Sequence, residues 1–410
     1  MPTVLLFSRQ PLGKRPLHEW LGEAAASVVL VTPAEAVAGW EEVLDERFLG
    51  HRLVDDYGSW ATERVAEEAA RTYGVDLIAS TSEDDVVRAA RLRDRLGLTG
   101  QDGSSALAYR DKVVMKQLAR AAGLAVPAFA AVDDPLDLLD FIDAQGYPVV
   151  VKPRAAAGAQ GFAKLDGEAD LMDFLHAGGG EVAPQLPGQW MAEGFVAGDF
   201  FHVDGVMRGG EIVHCWPSQY SGSLAEYARD ESVLSSLLLE PGDERTAVLR
   251  QFTAEVIAAL PAGAQPCSFH LEAWLGPDGR PVLCEIASRA GGGPIAEAYQ
   301  RAFGVQLAKE GLRGQCGVPL SLTEQAAAPA PAVGWSLFPP GHGRFVPPAG
   351  PCPVPGIDLT LHLEPGTECT GLHNTGEAAA SVVAAGESAA QVRERLTEAG
   401  AWWFANTRWQ

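Results

Sequence analysis

The sequence predicts an α/β fold in which a parallel amino-terminal domain precedes a mixed region with antiparallel strands. Within the first hundred residues, short apolar runs that end in turn residues alternate with amphipathic helical segments, which is typical of a parallel sheet covered by helices. Beyond residue 190, predicted strands are joined by short glycine-containing turns, which favour antiparallel pairing. The 410 residues correspond to two to four domains at roughly 150 residues per domain.

The predicted elements follow the chain in that order. Residues 61–73 place small and apolar side chains on one helical face, and Ser82 is suited to cap a helix over Glu83–Leu96. Further helices are predicted at 111–122, 136–145, 244–260 and 392–399, and another begins near Ile295. Strands are predicted at 3–7, 27–31, 51–54, 76–80, 128–132, 148–152, 190–195, 201–206, 211–216, 267–274, 281–286, 335–345 and 360–363. Residues 276–279 predict a hairpin turn, 155–161 and 177–188 predict loops, and the Ala/Pro-rich residues 325–333 predict a linker.

The composition argues against several functional classes. The 31 Lys+Arg and 53 Asp+Glu residues give a net charge of −22, which disfavours nucleic acid or an anionic membrane as the main partner. No apolar run approaches the roughly 18 residues of a membrane span. The six cysteines lack CxxC or metal-ligand spacing, and they predict reduced thiols in a cytoplasmic protein.

Several common motifs are absent from the sequence. Residues 8–14 end in Gly-Lys, but Ser8 and Arg15 stand where a Walker loop needs glycine and Ser/Thr. No GxGxxG follows the first predicted strand, and neither GxSxG nor HExxH occurs. The sequence therefore does not predict a dinucleotide site, a hydrolase nucleophile elbow or a zinc protease.

A lysine ends a buried strand in residues 147–154, which read Tyr-Pro-Val-Val-Val-Lys-Pro-Arg. Lys152 is followed by a segment of small residues that includes Gly158 and Gly161, and small residues let the backbone approach a phosphate closely. A strand-end lysine beside an ordinary surface loop has the same pattern. This segment by itself leaves the two interpretations open.

Two predicted antiparallel strands each carry one carboxylate, Glu272 and Glu285. The obvious register of the hairpin brings the two side chains together, and like charges at that distance need a cation or a proton between them. Mg²⁺, or Mn²⁺ in its place, bound by the carboxylates and by nucleotide phosphates satisfies that need. Glutamates that point to solvent are the alternative, but their apolar neighbours favour the metal.

Taken together, these segments resemble the ATP-grasp superfamily over about residues 82–304. Asp111-Lys112, with Met115-Lys116, resembles its first nucleotide-lysine segment, and residues 148–153 resemble its second. Residues 193–198, Glu-Gly-Phe-Val-Ala-Gly, resemble the hinge that contacts adenine. Glu272 and Glu285 match the magnesium carboxylates, and Arg289 matches the arginine that follows them. The specific feature is that five motifs occur in the correct order and spacing.

The resemblance implies an ATP-grasp fold with four regions. These are an amino-terminal parallel α/β domain at 1–110, a small lobe at 111–190, a large lobe at 191–322 that carries the site, and a carboxy-terminal α+β subdomain at 323–410. ATP contacts are implied for Lys112, Lys152, Gly158, Gly161, Glu193, Phe195, Val196 and Asp199, and metal binding for Glu272 and Glu285.

Two positions depart from the family pattern. Ala287 stands where a metal-binding Asn is usual, and Phe200 stands where the ribose-binding acid is usual. Asp199 lies one residue early and would need a bulge to face the same side of the strand.

Residues 202–205, His-Val-Asp-Gly, resemble the carboxylate–amine ligase branch of the family, together with His270, Arg289 and a triple-glycine loop. That branch implies an ADP-forming reaction in which a carboxylate, expected to be that of an amino acid, becomes an acyl phosphate. An amine then forms an amide or dipeptide. Implied substrate contacts are Arg289, Ser288, Gly291, Gly292, Gly293 and Tyr220, and implied catalytic residues are Arg289, His270 and His202.

The residues themselves leave alternatives open. His202 and His270 are candidate bases or hydrogen-bonded structural histidines, although His270 and Glu272 should share one face of a strand. The glycine loop is an anion site or a flexible turn, and residues 218–223 form a substrate-closing loop or a plain surface loop. The alternative functions are those of a bicarbonate-using carboxylase and of a catalytically silent nucleotide-binding protein. The expected partners are a small-molecule carboxylate and an amine, with no nucleic acid and no membrane. A homodimer is a common state among proteins that resemble this one.

Overall fold

The computed structural model describes residues 1–177, 189–222, 227, 232–322, 328–372 and 377–410. The amino-terminal strands are β1 (Val4–Phe7), β2 (Val28–Pro33), β3 (Gly50–Val54) and β4 (Leu77–Ser80), which form a parallel sheet in the order β3-β2-β1-β4. The helices of this domain are α1 (Leu17–Leu21), α2 (Glu41–Arg47), α3 (Ala61–Tyr73), α4 (Glu83–Leu96) and α5 (Gly103–Ala108), with two short 3-10 turns at Gly22–Ser27 and Ala34–Val37. Every residue of β1 and β2 is buried because helices cover both faces of the sheet.

The small lobe is a second sheet with antiparallel strands. It begins at α6 (Lys112–Ala121), where the side chain of Asp111 caps the helix by accepting from the backbone N–H groups of its first turn. The following elements are β5 (Phe129–Val132), α7 (Pro135–Gln145), β6 (Val149–Pro153), β7 (Ala163–Leu165), α8 (Glu168–His176) and β8 (Trp190–Gly194). The strand order is β5-β8-β6-β7, so β6 and β8 lie side by side at the centre.

The large lobe supplies the biggest sheet of the protein. Its elements are β9 (Asp199–Arg208), β10 (Glu211–Ser221), β11 (Leu234–Leu238), α9 (Glu244–Ala259), β12 (Cys267–Leu275), β13 (Pro281–Ala287), α10 (Ile295–Phe303) and α11 (Leu307–Gln315). The carboxy-terminal elements are β14 (Ala332–Phe338), β15 (His342–Val346), β16 (Ile357–Leu361), β17 (Glu368–Thr370), β18 (Ala380–Gly386), α12 (Ala389–Asn406) and β19 (Arg408–Trp409). One sheet runs through both regions in the order β13-β12-β9-β10-β11-β14-β18-β16, and β17-β15-β19 form a separate small sheet.

The predicted parallel and antiparallel regions are confirmed, and so is the cap of α4, where the Ser82 hydroxyl accepts from the N–H of Asp84. The predicted domain boundaries after residues 110, 190 and 322 stay predictions. The strand β8 continues past the second of them, and the large sheet continues across the third. No described helix is long and apolar enough to cross a membrane.

Several predicted segments are wrong. Residues 335–345 form two strands rather than one, because Pro339 and Pro340 lack a backbone N–H and end β14 before β15 begins at His342. The helix predicted at 392–399 is the middle of α12, which Ser388 caps. Residues 218–221 belong to β10 and not to a loop, while residue 223 lies outside the described part of the chain. The predicted linker at 325–333 ends inside β14, and its first residues, like 178–188 of the predicted glycine-rich loop, are outside the described ranges.

Candidate active site

The two glutamates of the β12–β13 hairpin lie opposite each other in the sheet. Glu272 pairs with Glu285, and the register then shifts so that Cys284 is the extra residue of a bulge. Oxygen or sulfur atoms of all three side chains lie within 4.8 Å of one another. The prediction that this hairpin brings two carboxylates together is confirmed.

Lys112 connects the small lobe to this carboxylate pair. Its Nζ lies 3.1 Å from Glu285 Oε2 and donates to the carbonyl oxygen of Ala156 at 2.7 Å. Burial by itself would raise the pKa of Glu285, but Lys112 and Lys152 lower it to about 2. Glu285 is therefore an ionised carboxylate between the two lobes, in the state that binds a cation.

A buried ion cluster lies in the small lobe beside Lys112. Lys152 Nζ is 2.5 Å from Glu193 Oε1, and Lys116 Nζ is 3.4 Å from Glu193 Oε2. Lys152 and Glu193 are diagonal neighbours across β6 and β8, because Val150 is the direct partner of Glu193. Burial alone would lower the pKa of Lys152, yet Glu193 raises it above its ordinary value. The two lysines thus engage the carboxylate of Glu193, which was predicted to contact the nucleotide.

A second cluster lies where β9 and β12 are neighbours. Asp204 Oδ2 is 2.5 Å from His202 Nδ1, and Asp204 Oδ1 is 2.9 Å from His270 Nδ1. His202 Nε2 lies 2.7 Å from the hydroxyl of Ser236. Burial alone would lower the pKa of His270, but Asp204 raises it to about 10.

These contacts argue against both predicted bases. His202 is 1% exposed and both of its ring nitrogens have partners, so it has no nitrogen available for a substrate. His270 carries a proton at neutral pH, whereas a general base must be uncharged. The predicted shared face of His270 and Glu272 is confirmed, with His270 Nε2 3.5 Å from Glu272 Oε1. Tyr220, predicted as a substrate contact, donates its hydroxyl to the same oxygen at 3.0 Å.

Arg289 follows β13 and is held by the amino-terminal domain. Its Nε and Nη2 donate to Glu83 Oε2 at 2.8 and 2.5 Å, and its Nη1 donates to the carbonyl oxygen of Ala290 at 3.0 Å. The neighbouring Ser288 exchanges hydrogen bonds with the amide of Gln101 at 3.2 and 3.3 Å. The segment after β13 is therefore positioned from the amino-terminal domain.

The triple-glycine loop borders the cluster of His202, Asp204 and His270. A Cβ atom at Gly291 would lie 2.7 Å from Asp204 Oδ1 and 3.0 Å from His270 Nδ1, so the close packing here requires glycine. Gly292 is exposed and Gly293 has a φ of 57°, and the chain then enters α10. Their binding to substrate stays a prediction.

The predicted hinge joins β8 to β9. Gly198 has a φ of 156°, and a Cβ there would lie 2.3 Å from the carbonyl oxygen of Leu275. Phe195 is 47% exposed, and Val196 is half-buried. Asp199 pairs in unshifted register with β12 and lies 4.0 Å from Arg245, on the strand face opposite His202. No bulge re-aims Asp199 within this pairing, so the structure does not support its prediction as an ATP contact.

The small-residue loop between β6 and β7 lies beside Lys112. Gly158 and Gly161 have φ values of 65° and 66°, and Ala156 of the same loop accepts from Lys112. Phosphate binding by this loop stays a prediction.

Sequence reasoning assigned no site role to four residues that complete the clusters, namely Glu83, Lys116, Asp204 and Cys284, although Lys116 and Asp204 lie in segments that carry the family resemblance. Asp204 had a usable signal, because it is two residues from His202 and must share its strand face. Cys284 joins the glutamates only through the bulge, and Glu83 reaches Arg289 only through domain docking.

The arrangement can bind a divalent cation and a polyphosphate. The two paired carboxylates offer hard oxygen ligands of the kind Mg²⁺ prefers. Burial raises the pKa of Cys284, which keeps its thiol neutral and leaves the oxygens as the donor set. Lys112, Lys152 and Arg289 supply positive charge around the pair.

The chain is similar to known proteins in sequence and in structure. No protein-family model matches the chain. An L-arginine-specific L-amino acid ligase from Bacillus subtilis is 27% identical over 233 residues, which is 57% of this chain and 55% of that relative. The match therefore spans about half the length of the curated relative.

Solved structures match over nearly the whole chain. The L-amino acid ligase from Bacillus licheniformis has a TM-score of 0.78 at 16% identity, covering 100% of this chain and 99% of that one. The biotin carboxylase domain of the Hydrogenobacter thermophilus 2-oxoglutarate carboxylase, in complex with MgADP and bicarbonate, has a TM-score of 0.70 at 14% identity. That match covers 98% of this chain and 90% of that domain. The chain has the ATP-grasp fold.

Proposed function

We propose that this protein is an ATP-dependent, ADP-forming ligase that activates an amino acid carboxylate as an acyl phosphate and joins it to an amine. The observation that carries the proposal is the Glu272–Glu285 pair, which faces Lys112 of the small lobe. Two amino acid ligases among the similar proteins support the choice of substrate class.

Glu272 and Glu285 would hold Mg²⁺ or Mn²⁺, with water in place of the side-chain ligand that Ala287 lacks. The ion, when bound, would neutralise phosphate charge that develops during transfer. Lys112 and Lys152 would bind phosphate oxygens in exchange for their present carboxylate partners. Arg289 would bind the substrate carboxylate, because a guanidinium matches planar oxygen pairs. These residues align and neutralise the reactants, which is the main requirement of phosphoryl transfer.

The proposed compartment is the cytoplasm. No disulfide joins the six cysteines, all of which lie in the described part of the chain, and this agrees with a reducing environment.

A product screen tests the proposed function. Purified protein is given all amino acids, ATP and Mg²⁺, ADP is quantified, and products are identified by mass spectrometry. We expect ADP release that depends on an amine, together with the mass of a new amide. ADP release that needs bicarbonate and no amine would identify a carboxylase-type enzyme instead. Nucleotide binding without ADP release would identify a catalytically silent protein.

A further inference from the structure

A chain of ion pairs connects the amino-terminal domain to the candidate active site. Glu83 is the first residue of α4, and its Oε2 accepts from Nε and Nη2 of Arg289 at 2.8 and 2.5 Å. Its other oxygen accepts from Nη1 of Arg110 at 2.9 Å, and Arg110 also donates to Asp84 at 3.0 Å. The side chains of Glu83, Arg110 and Arg289 are 11%, 12% and 21% exposed, so water screens these pairs less than surface ones.

The contact with Glu83 decides which N–H groups of Arg289 remain for a ligand. A guanidinium has five N–H groups. Glu83 accepts hydrogen bonds from the Nε–H and from one N–H of Nη2, and the carbonyl oxygen of Ala290 accepts from one N–H of Nη1. One N–H on each terminal nitrogen has no partner among the described residues. Two such donors can bind a carboxylate or phosphate together.

Glu83 has the largest electrostatic effect on Arg289 among three nearby glutamates. Burial alone would lower the pKa of Arg289, while Glu83, then Glu285 and Glu272, raise it. The guanidinium therefore lies within the electrostatic reach of all three glutamates.

The domain that carries Glu83 is fixed to the large lobe by contacts on both sides of it. The side chain of Gln315 accepts from the N–H of Ser80 at 3.1 Å and donates to its carbonyl oxygen at 3.2 Å. Gln101 holds Ser288, the residue before Arg289. Glu83 is thus a fixed anchor for the arginine.

We propose that Glu83 is a positioning residue for the acid substrate. It orients Arg289 so that its two remaining N–H groups bind the substrate carboxylate. The identity of the bound anion rests on the proposed ligase function, whereas the orientation of Arg289 does not.

Glu83→Gln tests the substrate part, with Glu67→Gln as the matched control. The side chain of Glu67 is 10% exposed, also belongs to the amino-terminal domain and also accepts hydrogen bonds from two arginines, Arg71 at 2.9 Å and Arg95 at 3.0 Å. We expect Glu83→Gln to raise the KM for the acid found in the product screen about tenfold, the order of one charge-assisted contact. The KM for ATP should change less than about twofold, and the control should change neither. Equal changes in both KM values, or none, would overturn the proposal.

A double-mutant cycle tests whether Glu83 acts through Arg289. In an Arg289→Gln background, Glu83→Gln should change the KM for the acid by less than about twofold, since the oriented group is gone. A further tenfold rise in that background would overturn the proposal.

Chemical labelling tests the orientation without any activity. Phenylglyoxal modifies arginine, and peptide mapping by mass spectrometry follows Arg289 in protein with EDTA and no nucleotide. We expect modification about tenfold faster in Glu83→Gln than in wild type, and an unchanged rate in Glu67→Gln. An equal rate in Glu83→Gln and wild type overturns the proposal even if the product screen fails. If circular dichroism shows Glu83→Gln unfolded, Glu83→Asp, whose carboxylate is one methylene shorter, replaces it in both assays.

Discussion

Two charge clusters of the candidate site are built in different ways. The lysine–glutamate cluster consists of Lys112, Lys116, Lys152, Glu193 and Glu285 and crosses from the small lobe to the large lobe. The histidine–aspartate cluster consists of His202, Asp204 and His270 and lies on two neighbouring strands of one sheet. Lysine carries its charge on a flexible four-carbon stem, so these ammonium groups can exchange a carboxylate for a ligand oxygen. The shorter side chains of His202 and Asp204 are held by the strands, and both ring nitrogens of His202 already have partners. The first cluster therefore has the construction of a binding site, and the second that of a support.

Glu285→Ala removes the large-lobe member of the lysine–glutamate cluster and should have the largest effect. We expect amine-dependent ADP release to fall at least about 100-fold, because even the loss of an outer partner of a metal ligand costs about 10–100-fold. Steady-state ADP assays measure the change. Glu255→Ala, on the exposed side of α9, is the control and should retain wild-type activity. A loss below tenfold in Glu285→Ala contradicts the assignment of a binding site to this cluster.

Asp204→Asn keeps the shape of the histidine–aspartate cluster and removes its negative charge. We expect the free energy of unfolding at pH 7 to fall by about 3–5 kcal/mol, since the variant leaves a buried charge without its partner. Urea unfolding measures this loss.

The pH dependence of that loss has a definite sign. Burial alone would raise the pKa of Asp204, but His270 and His202 lower it below its ordinary value of 3.8. A carboxylate with a lowered pKa stabilises the fold above its unfolded pKa and loses that effect as the pH falls. The difference in unfolding free energy between wild type and Asp204→Asn should therefore be largest between about pH 4 and 6.5 and should narrow below about pH 4. It should also narrow as the pH rises above 6.5, because Asp204 raises the pKa of His270 to about 10 and that contribution is lost as His270 deprotonates. If the difference in unfolding free energy stays constant down to pH 3, the charge of Asp204 does not stabilise the cluster.

Tyr220→Phe tests the comparison between the two regions, because Tyr220 contacts both the metal-site residue Glu272 and His202 of the histidine–aspartate cluster. Its hydroxyl donates to Glu272, while its ring centroid lies 4.6 Å from that of His202 and 5.2 Å from that of Phe200. Removal of the hydroxyl alone should lower kcat/KM by about 2–10-fold, the range of one hydrogen bond. Thermal unfolding should change little, since the ring contacts remain. A large drop in stability with unchanged kcat/KM would place Tyr220 with the support instead.

Much of the architecture was predictable from local patterns. The apolar runs of β1 and β2 and the Ser82 cap of α4 are short-range signals, and each led to the observed element. Alternation along β12 placed His270 and Glu272 on one face, and the hairpin turn set Glu272 opposite Glu285. The prediction of one strand over residues 335–345 was wrong because it gave more weight to the apolar residues than to Pro339 and Pro340. These prolines lack backbone N–H groups, and β14 ends before them.

The sequence by itself determined the parallel first domain, the antiparallel strands and the pair of glutamates, because periodicity, caps and turns act over a few residues. Tertiary structure alone decided the roles of distant partners. Glu83 and Arg289 are 206 positions apart, and no local signal links them. It also gave both ring nitrogens of His202 a partner and raised the pKa of His270, which argues against their prediction as bases. Charge, burial and hydrogen-bond partners depend on which elements dock together, and that docking is a property of the whole fold.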